Sequence, residues 1–103
     1  MTPEQFANYI NDHSSIINIF RSSASDYQYQ KNAERKPIKQ YSNERVEHEI
    51  DLMVAAFLES VYTNIKSQVK ENKLHPYESW INFIESNSLI DLLEEDVETI
   101  SLN

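Results

Sequence analysis

Apolar residues recur three and four positions apart along four stretches of this chain. The first opens with Thr2, Pro3 and Gln5, a T-x-x-Q capping box with proline at the first helical position. Phe6, Tyr9, Ile10, His13, Ile17 and Phe20 follow at helical spacing, and Ile16 and Ile19 widen the stripe. The pattern predicts one helix over about 3–21. The second stretch is the longest. Ser42 or Asn43 can cap it, Glu44, Glu47 and Glu49 suit the positive end of its dipole, and Lys66, Lys70 and Lys73 suit the negative end. Val46, Ile50, Met53, Val54, Phe57, Leu58, Val61, Tyr62, Ile65 and Val69 give it an apolar face wide enough to meet neighbours on more than one side. The predicted span is about 43–73, roughly 45 Å long.

Pro76 starts the third stretch, where Tyr77, Trp80, Ile81 and Ile84 share one stripe and Phe83 lies off it. The fourth begins at Asn87 or Ser88. Ser88 and Asp91 approximate a capping box, and Leu89, Leu92, Leu93, Val97 and Ile100 continue the apolar face. The tail from Thr99 to Asn103 is expected to fray or to extend as a short strand. Residues 22–43 interrupt this regularity: the segment is polar, and Pro37 breaks any helix within it. It reads as a long polar connection with room for a short helix over about 25–35, pinned to the core by Tyr27, Tyr29 and Tyr41. The expected fold is all-α: a compact bundle of roughly three to five helices forming a single domain over 1–103, with the helix at about 43–73 as its central member.

Composition narrows the classes. Glycine is absent from the 103 residues. Tight hairpin turns, Rossmann nucleotide sites and P-loops need it, so a β-sandwich and the usual nucleotide folds are set aside. Ten asparagines remain to serve turns and helix ends. Cysteine is also absent, which removes disulfides, zinc-thiolate sites, iron–sulfur clusters and thiol nucleophiles, and favours a reducing compartment. The start of the chain has no basic and apolar run of the signal-peptide kind, and the longest apolar run, Met53 to Leu58, is far below a membrane span. A cytoplasmic protein is expected. The abundance of Asn and Ile fits an AT-rich genome, such as that of a low-GC bacterium or a phage.

Charge then changes the picture. The formal net charge is -8. Glu78, Glu85, Asp91, Glu94, Glu95, Asp96 and Glu98 all follow Pro76, and no Lys or Arg follows Lys73. An ordinary exposed helix mixes signs. Here the carboxylates have no local partner, and their dull reading is a solvated face that aids solubility. The sharper one is an array that imitates nucleic-acid phosphates or docks on a basic protein surface, with Tyr77, Trp80 and Phe83 as aromatic anchors. The segment 22–43 carries Lys31, Arg35, Lys36 and Lys39 against Asp26 and Glu34. Its tyrosines and cations suggest nucleic-acid stacking, but a pI near 4.7 opposes direct nucleic-acid binding. Pairing with the acidic helices of the same chain is the simpler use of those cations.

Other chemistry is thin. His48 with Glu44 and Asp51 shares a helix face, yet matches neither Glu-x-x-His nor His-Glu-x-x-His spacing. His13, on the apolar stripe, reads as a semi-buried, hydrogen-bonded histidine, and His75 as part of a turn. No catalytic, cofactor or metal residue is singled out.

The opening Thr-Pro-Glu-Gln-Phe, residues 2–6, is similar to the start of some small phage proteins. As a type, a short, acidic, cysteine-free helical chain resembles phage-encoded inhibitors of host defence, anti-CRISPR and DNA-mimic proteins among them, and immunity proteins that neutralise nuclease toxins. The expected function is therefore a non-enzymatic inhibitor. It docks its C-terminal carboxylates on the basic surface of a nucleic-acid-handling protein. The alternatives are an oligomerisation module, such as a homodimer built on the long central helix, and, last, a small enzyme.

Overall fold

A computed structural model describes residues 1–100 and Leu102. Five α-helices account for most of them: α1 Pro3–His13, α2 Ile16–Ala33, α3 Asn43–Lys66, α4 Pro76–Ser86 and α5 Leu89–Glu98. A 3-10 turn at Pro37–Lys39 joins α2 to α3, and no strand occurs among the described residues. The expected all-α bundle is what the chain forms. Ser101 and Asn103, the last part of the tail expected to fray or extend, lie outside the described residues.

The capping box at the start of α1 forms in both directions. Gln5 N donates to Thr2 Oγ1 at 3.1 Å, and Thr2 N donates to Gln5 Oε1 at 2.9 Å. The helix does not run on to residue 21. Ser14 takes an extended conformation, its hydroxyl donates to the Ile10 carbonyl at 2.6 Å, and it accepts from Ile16 N at 3.3 Å. A serine that satisfies the backbone on both sides of itself competes with the helix ladder and ends it.

The larger departure is α2, which carries the helix through most of the segment read as a polar connection. Its buried stripe is Ile16, Phe20, Ala24 and Gln28, four residues apart. Half of that stripe is small or polar, so the sequence conceals it. Gln28 is the one buried polar residue among those described, and its Nε2 reaches Met53 Sδ at 3.1 Å. Of the three tyrosines expected to pin this segment, Tyr29 and Tyr41 pack against the core, whereas Tyr27 does not join it and lies under the Lys31 ammonium, 5.7 Å from its ring centroid.

Helix α3 ends at Lys66 rather than near 73, because Ser67 and Gln68 turn back on the last turn and both donate to the Asn64 carbonyl. Helix α2 runs antiparallel to α3, and Phe20 stacks on Phe57 with centroids 4.3 Å apart. The Arg21–Asp51 ion pair and the Tyr29–Glu47 hydrogen bond bridge the same two helices. Helix α1 packs on both, α5 packs on α2, and α4 packs on α5. One apolar cluster takes buried residues from all five helices. The bundle is drawn out along the α2–α3 hairpin, with extents of 56 × 23 × 22 Å.

The turn from α4 to α5 shows what the lack of glycine does. Asn87 caps α4, its side chain donating to the Phe83 carbonyl at 2.9 Å, and the left-handed position falls on Ser88 (φ 50, ψ 40). Ser88 makes no side-chain cap, so the expected capping box with Asp91 does not form.

Candidate functional site

The C-terminal carboxylates are held by two short helices packed on one another. Glu78 and Glu85 project from α4, and Asp91, Glu94, Glu95, Asp96 and Glu98 from α5. The apolar side of α5 closes inward through Leu89, Ile90, Leu93 and the buried Val97. Geometry then turns the acids outward: all are exposed except Glu94, which is half-buried. Leu92 lies among them and is 51% exposed.

None of the seven forms an ion pair with a Lys or Arg among the described residues. One histidine stands beside them: His75 Nδ1 lies 3.9 Å from the Glu78 carboxylate. The cations of the 22–43 segment do not cover the acidic helices with ion pairs. The electrical separation in the sequence therefore persists in the fold.

The three aromatics expected beside the acids part company. Trp80 is fully buried, so it is removed from the partner-binding surface. Its ring stacks on Tyr62 with centroids 5.0 Å apart and meets Phe6 at 6.0 Å. Phe83 is half-buried against the core. Tyr77 alone is open, at 39% exposure. It lies near Tyr9, whose hydroxyl is pushed above its ordinary pKa by burial first, then by the charge of Glu85 and of the Tyr77 hydroxyl. His13 differs from expectation as well, being exposed at the last turn of α1 with its ring tilted against Tyr9, centroids 4.3 Å apart.

A second charged surface was not assembled by sequence reasoning. At the α2–α3 turn, Arg35, Lys36, Lys39 and Arg45 line an open cleft of about 560 Å³ together with Ile38, Gln40 and Tyr41. Arg45 lies in the first turn of α3, ten residues beyond Arg35. The loop returns it to face Arg35 across the Tyr41 ring, at 3.6 and 3.8 Å from the centroid.

No group of three or more His, Asp or Glu among the described residues is arranged to hold a metal ion. No helix among them is long and apolar enough to cross a membrane. No protein family, curated protein or solved structure matches this chain.

Proposed function

We propose that this chain is a non-enzymatic binding protein, an inhibitor that docks the carboxylate surface of α4 and α5 on the basic, nucleic-acid-binding surface of a protein partner. The observation that carries this reading is the absence of any Lys or Arg ion pair to those seven acids among the described residues. Five of the acids crowd onto one helix of ten residues. Like charges at that density repel, and a cationic partner relieves the repulsion on contact. Opposite potentials would speed encounter and make the complex salt-sensitive. Tyr77 and Leu92, both exposed beside the acids, supply the apolar contact that holds such a complex.

The oligomer reading rested on the apolar face of the central helix. Val46, Ile50, Val54, Tyr62 and Ile65 are buried in this chain's own core, which leaves that face little to offer a second copy.

The test is affinity capture with the native chain and with the variant Asp91→Asn, Glu94→Gln, Glu95→Gln, Asp96→Asn. The reading expects a nucleic-acid-binding protein to be retained by the native chain, lost to the variant, released by salt and displaced by DNA. Equal retention by the variant removes it.

A further inference from the structure

The cleft at the α2–α3 turn has the makings of an anion site, and its features are independent of the acidic helices. Four cationic side chains, Arg35, Lys36, Lys39 and Arg45, line one concavity. None of them forms an ion pair with a carboxylate among the described residues, although Glu34 and Glu44 are neighbours in sequence. Four unneutralised cations in one cleft repel each other, so the arrangement is held together by something else.

That something is a hydrogen-bonded clip. Asn32 Oδ1 accepts from Tyr41 N at 2.8 Å, and Asn32 Nδ2 donates to the Tyr41 carbonyl at 3.1 Å. Arg35 Nη1 donates to the same Asn32 Oδ1 at 3.0 Å, and Gln40 Nε2 donates to the Arg35 carbonyl at 3.2 Å. The clip fixes the Tyr41 ring. Two guanidinium carbons within 4 Å of one ring centroid cannot share a face without colliding, so Arg35 and Arg45 sandwich it. Stacking orients a guanidinium while leaving its in-plane N–H groups free to bind an oxyanion in a fork.

Arg45 is also out of place for a helix. It sits in the first turn of α3, where the macrodipole disfavours a cation and favours an anion. An anion in the cleft would reverse that penalty and neutralise the four side chains together.

We propose that this cleft binds a small ligand carrying two or more linked phosphates. Phosphate matches the paired guanidiniums better than a carboxylate does, because each tetrahedral group presents several oxygens to the two forks and the two ammonium groups. More than one phosphate is needed to balance four cations. The cleft volume of about 560 Å³ is that of a small-ligand site. A nucleic-acid strand is the poorer occupant. Both faces of Tyr41 are covered, so no base can stack on it, and the chain's net charge of -8 opposes a long polyanion beyond the cleft.

The test is a ¹H–¹⁵N NMR titration of the full chain with sodium tripolyphosphate at low salt. Shifts confined to residues 35–41 and Arg45, and an affinity at least tenfold weaker in Lys36→Gln/Lys39→Gln, would support the site. Both lysines are exposed and outside the clip, so a native-like spectrum shows that the variant still folds. Three results would overturn the proposal. One is an equal response to sodium sulfate at matched ionic strength, which marks simple screening. Another is a ten-nucleotide single strand binding more tightly than tripolyphosphate, which marks a nucleic-acid surface. The last is shifts in the same residues on raising protein concentration alone, abolished by neutralising Asp91, Glu94, Glu95 and Asp96, which marks the acidic face of a second copy as the occupant.

Discussion

The indole N–H of Trp80 donates a hydrogen bond to the Glu71 carboxylate. The same carboxylate oxygen lies 3.7 Å from the Met1 amine, and the Met1 carbonyl accepts from the Tyr62 hydroxyl at 2.7 Å. The loop after α3, the start of the chain, and helices α3 and α4 are thus fastened at one point. Beneath it lie the Phe6, Tyr62 and Trp80 rings, so a buried tryptophan keeps its polar atom satisfied.

This fastening should weaken in acid. The Trp80 hydrogen bond, the largest effect, holds the Glu71 carboxyl below its ordinary value of 4.5; burial opposes it, and the Met1 ammonium and Lys66 add to the lowering. A carboxyl depressed in the folded state adds stability above its unfolded pKa, and that stability is lost as pH falls through the folded value. Urea unfolding followed by fluorescence of Trp80, the only tryptophan, should therefore move to lower urea between about pH 5 and pH 3. Glu71→Gln keeps an acceptor for the indole and carries no charge, so its midpoint should depend less on pH over that range. Identical pH dependence in the two proteins would contradict the assignment.

Replacing the ring itself tests the core. Trp80→Ala removes the largest fully buried side chain and orphans contacts with Phe6 and Tyr62. A loss of about 3–5 kcal/mol is expected. That is a large part of the stability of an ordinary domain, roughly 5–15 kcal/mol. Trp80→Phe should retain most of the packing, and circular dichroism melts would rank the two variants.

Gln28 offers the opposite change. Its amide is buried, and the acceptor its Nε2 reaches is a thioether sulfur, a weak one. Gln28→Met removes the amide and conserves volume in the gap beside Met53. A gain of about 1 kcal/mol in chemical denaturation is expected. A loss would mean that the amide has a stronger use than the sulfur contact.

Gln28 also explains what the sequence concealed. The wide Val, Ile and Phe stripe of α3 and the proline-led start of α4 are plain in the spacing, and both helices begin where expected, although α3 stops at Lys66 instead of near 73. The second half of α2 was hidden because its inward positions are Ala24 and Gln28, which no hydrophobic period registers. The break at Ser14 left one trace: Ile10 and Ile16, both buried, are six residues apart, a spacing that a continuous stripe skips. The acidic surface was legible because its members are close in sequence and nothing cationic follows Lys73. The cationic cleft was not, because Arg35 and Arg45 meet only after the Asn32 clip returns the chain.

The turn between α4 and α5 can be relaxed. Ser88 is the one described residue with positive φ, and a side chain in that region costs about 1–2 kcal/mol. Ser88→Gly removes the clash but adds freedom to the unfolded chain, which offsets part of the gain. A net increase of about 0.5 kcal/mol is expected, whereas the β-branched Ser88→Val should lose more than about 1 kcal/mol. Unfolding midpoints of the pair would settle the sign.

Helix α5 separates the dull reading of the acids from the functional one. Asp91, Glu94, Glu95 and Glu98 stand three and four apart, and each such like-charge pair costs about 0.2–0.5 kcal/mol at low salt. Glu95 and Glu98 also face the negative end of the helix dipole, with no basic residue in the last turn to relieve it. Glu95→Lys/Glu98→Lys turns the Asp91–Glu95 and Glu94–Glu98 repulsions into i,i+4 attractions, leaves the 95–98 pair like-charged as before, and suits the dipole. It should raise stability by about 1–2 kcal/mol at low salt, a gain that shrinks as salt is added. If the acids only keep the surface solvated, nothing else should change. If they form the docking surface, the same stabilised protein should lose its partner, and a more stable chain that binds less cannot be explained by damage to the fold. Isothermal titration of both proteins against the captured partner reads this directly. Undiminished affinity in the lysine variant would return these carboxylates to the role of solvated surface.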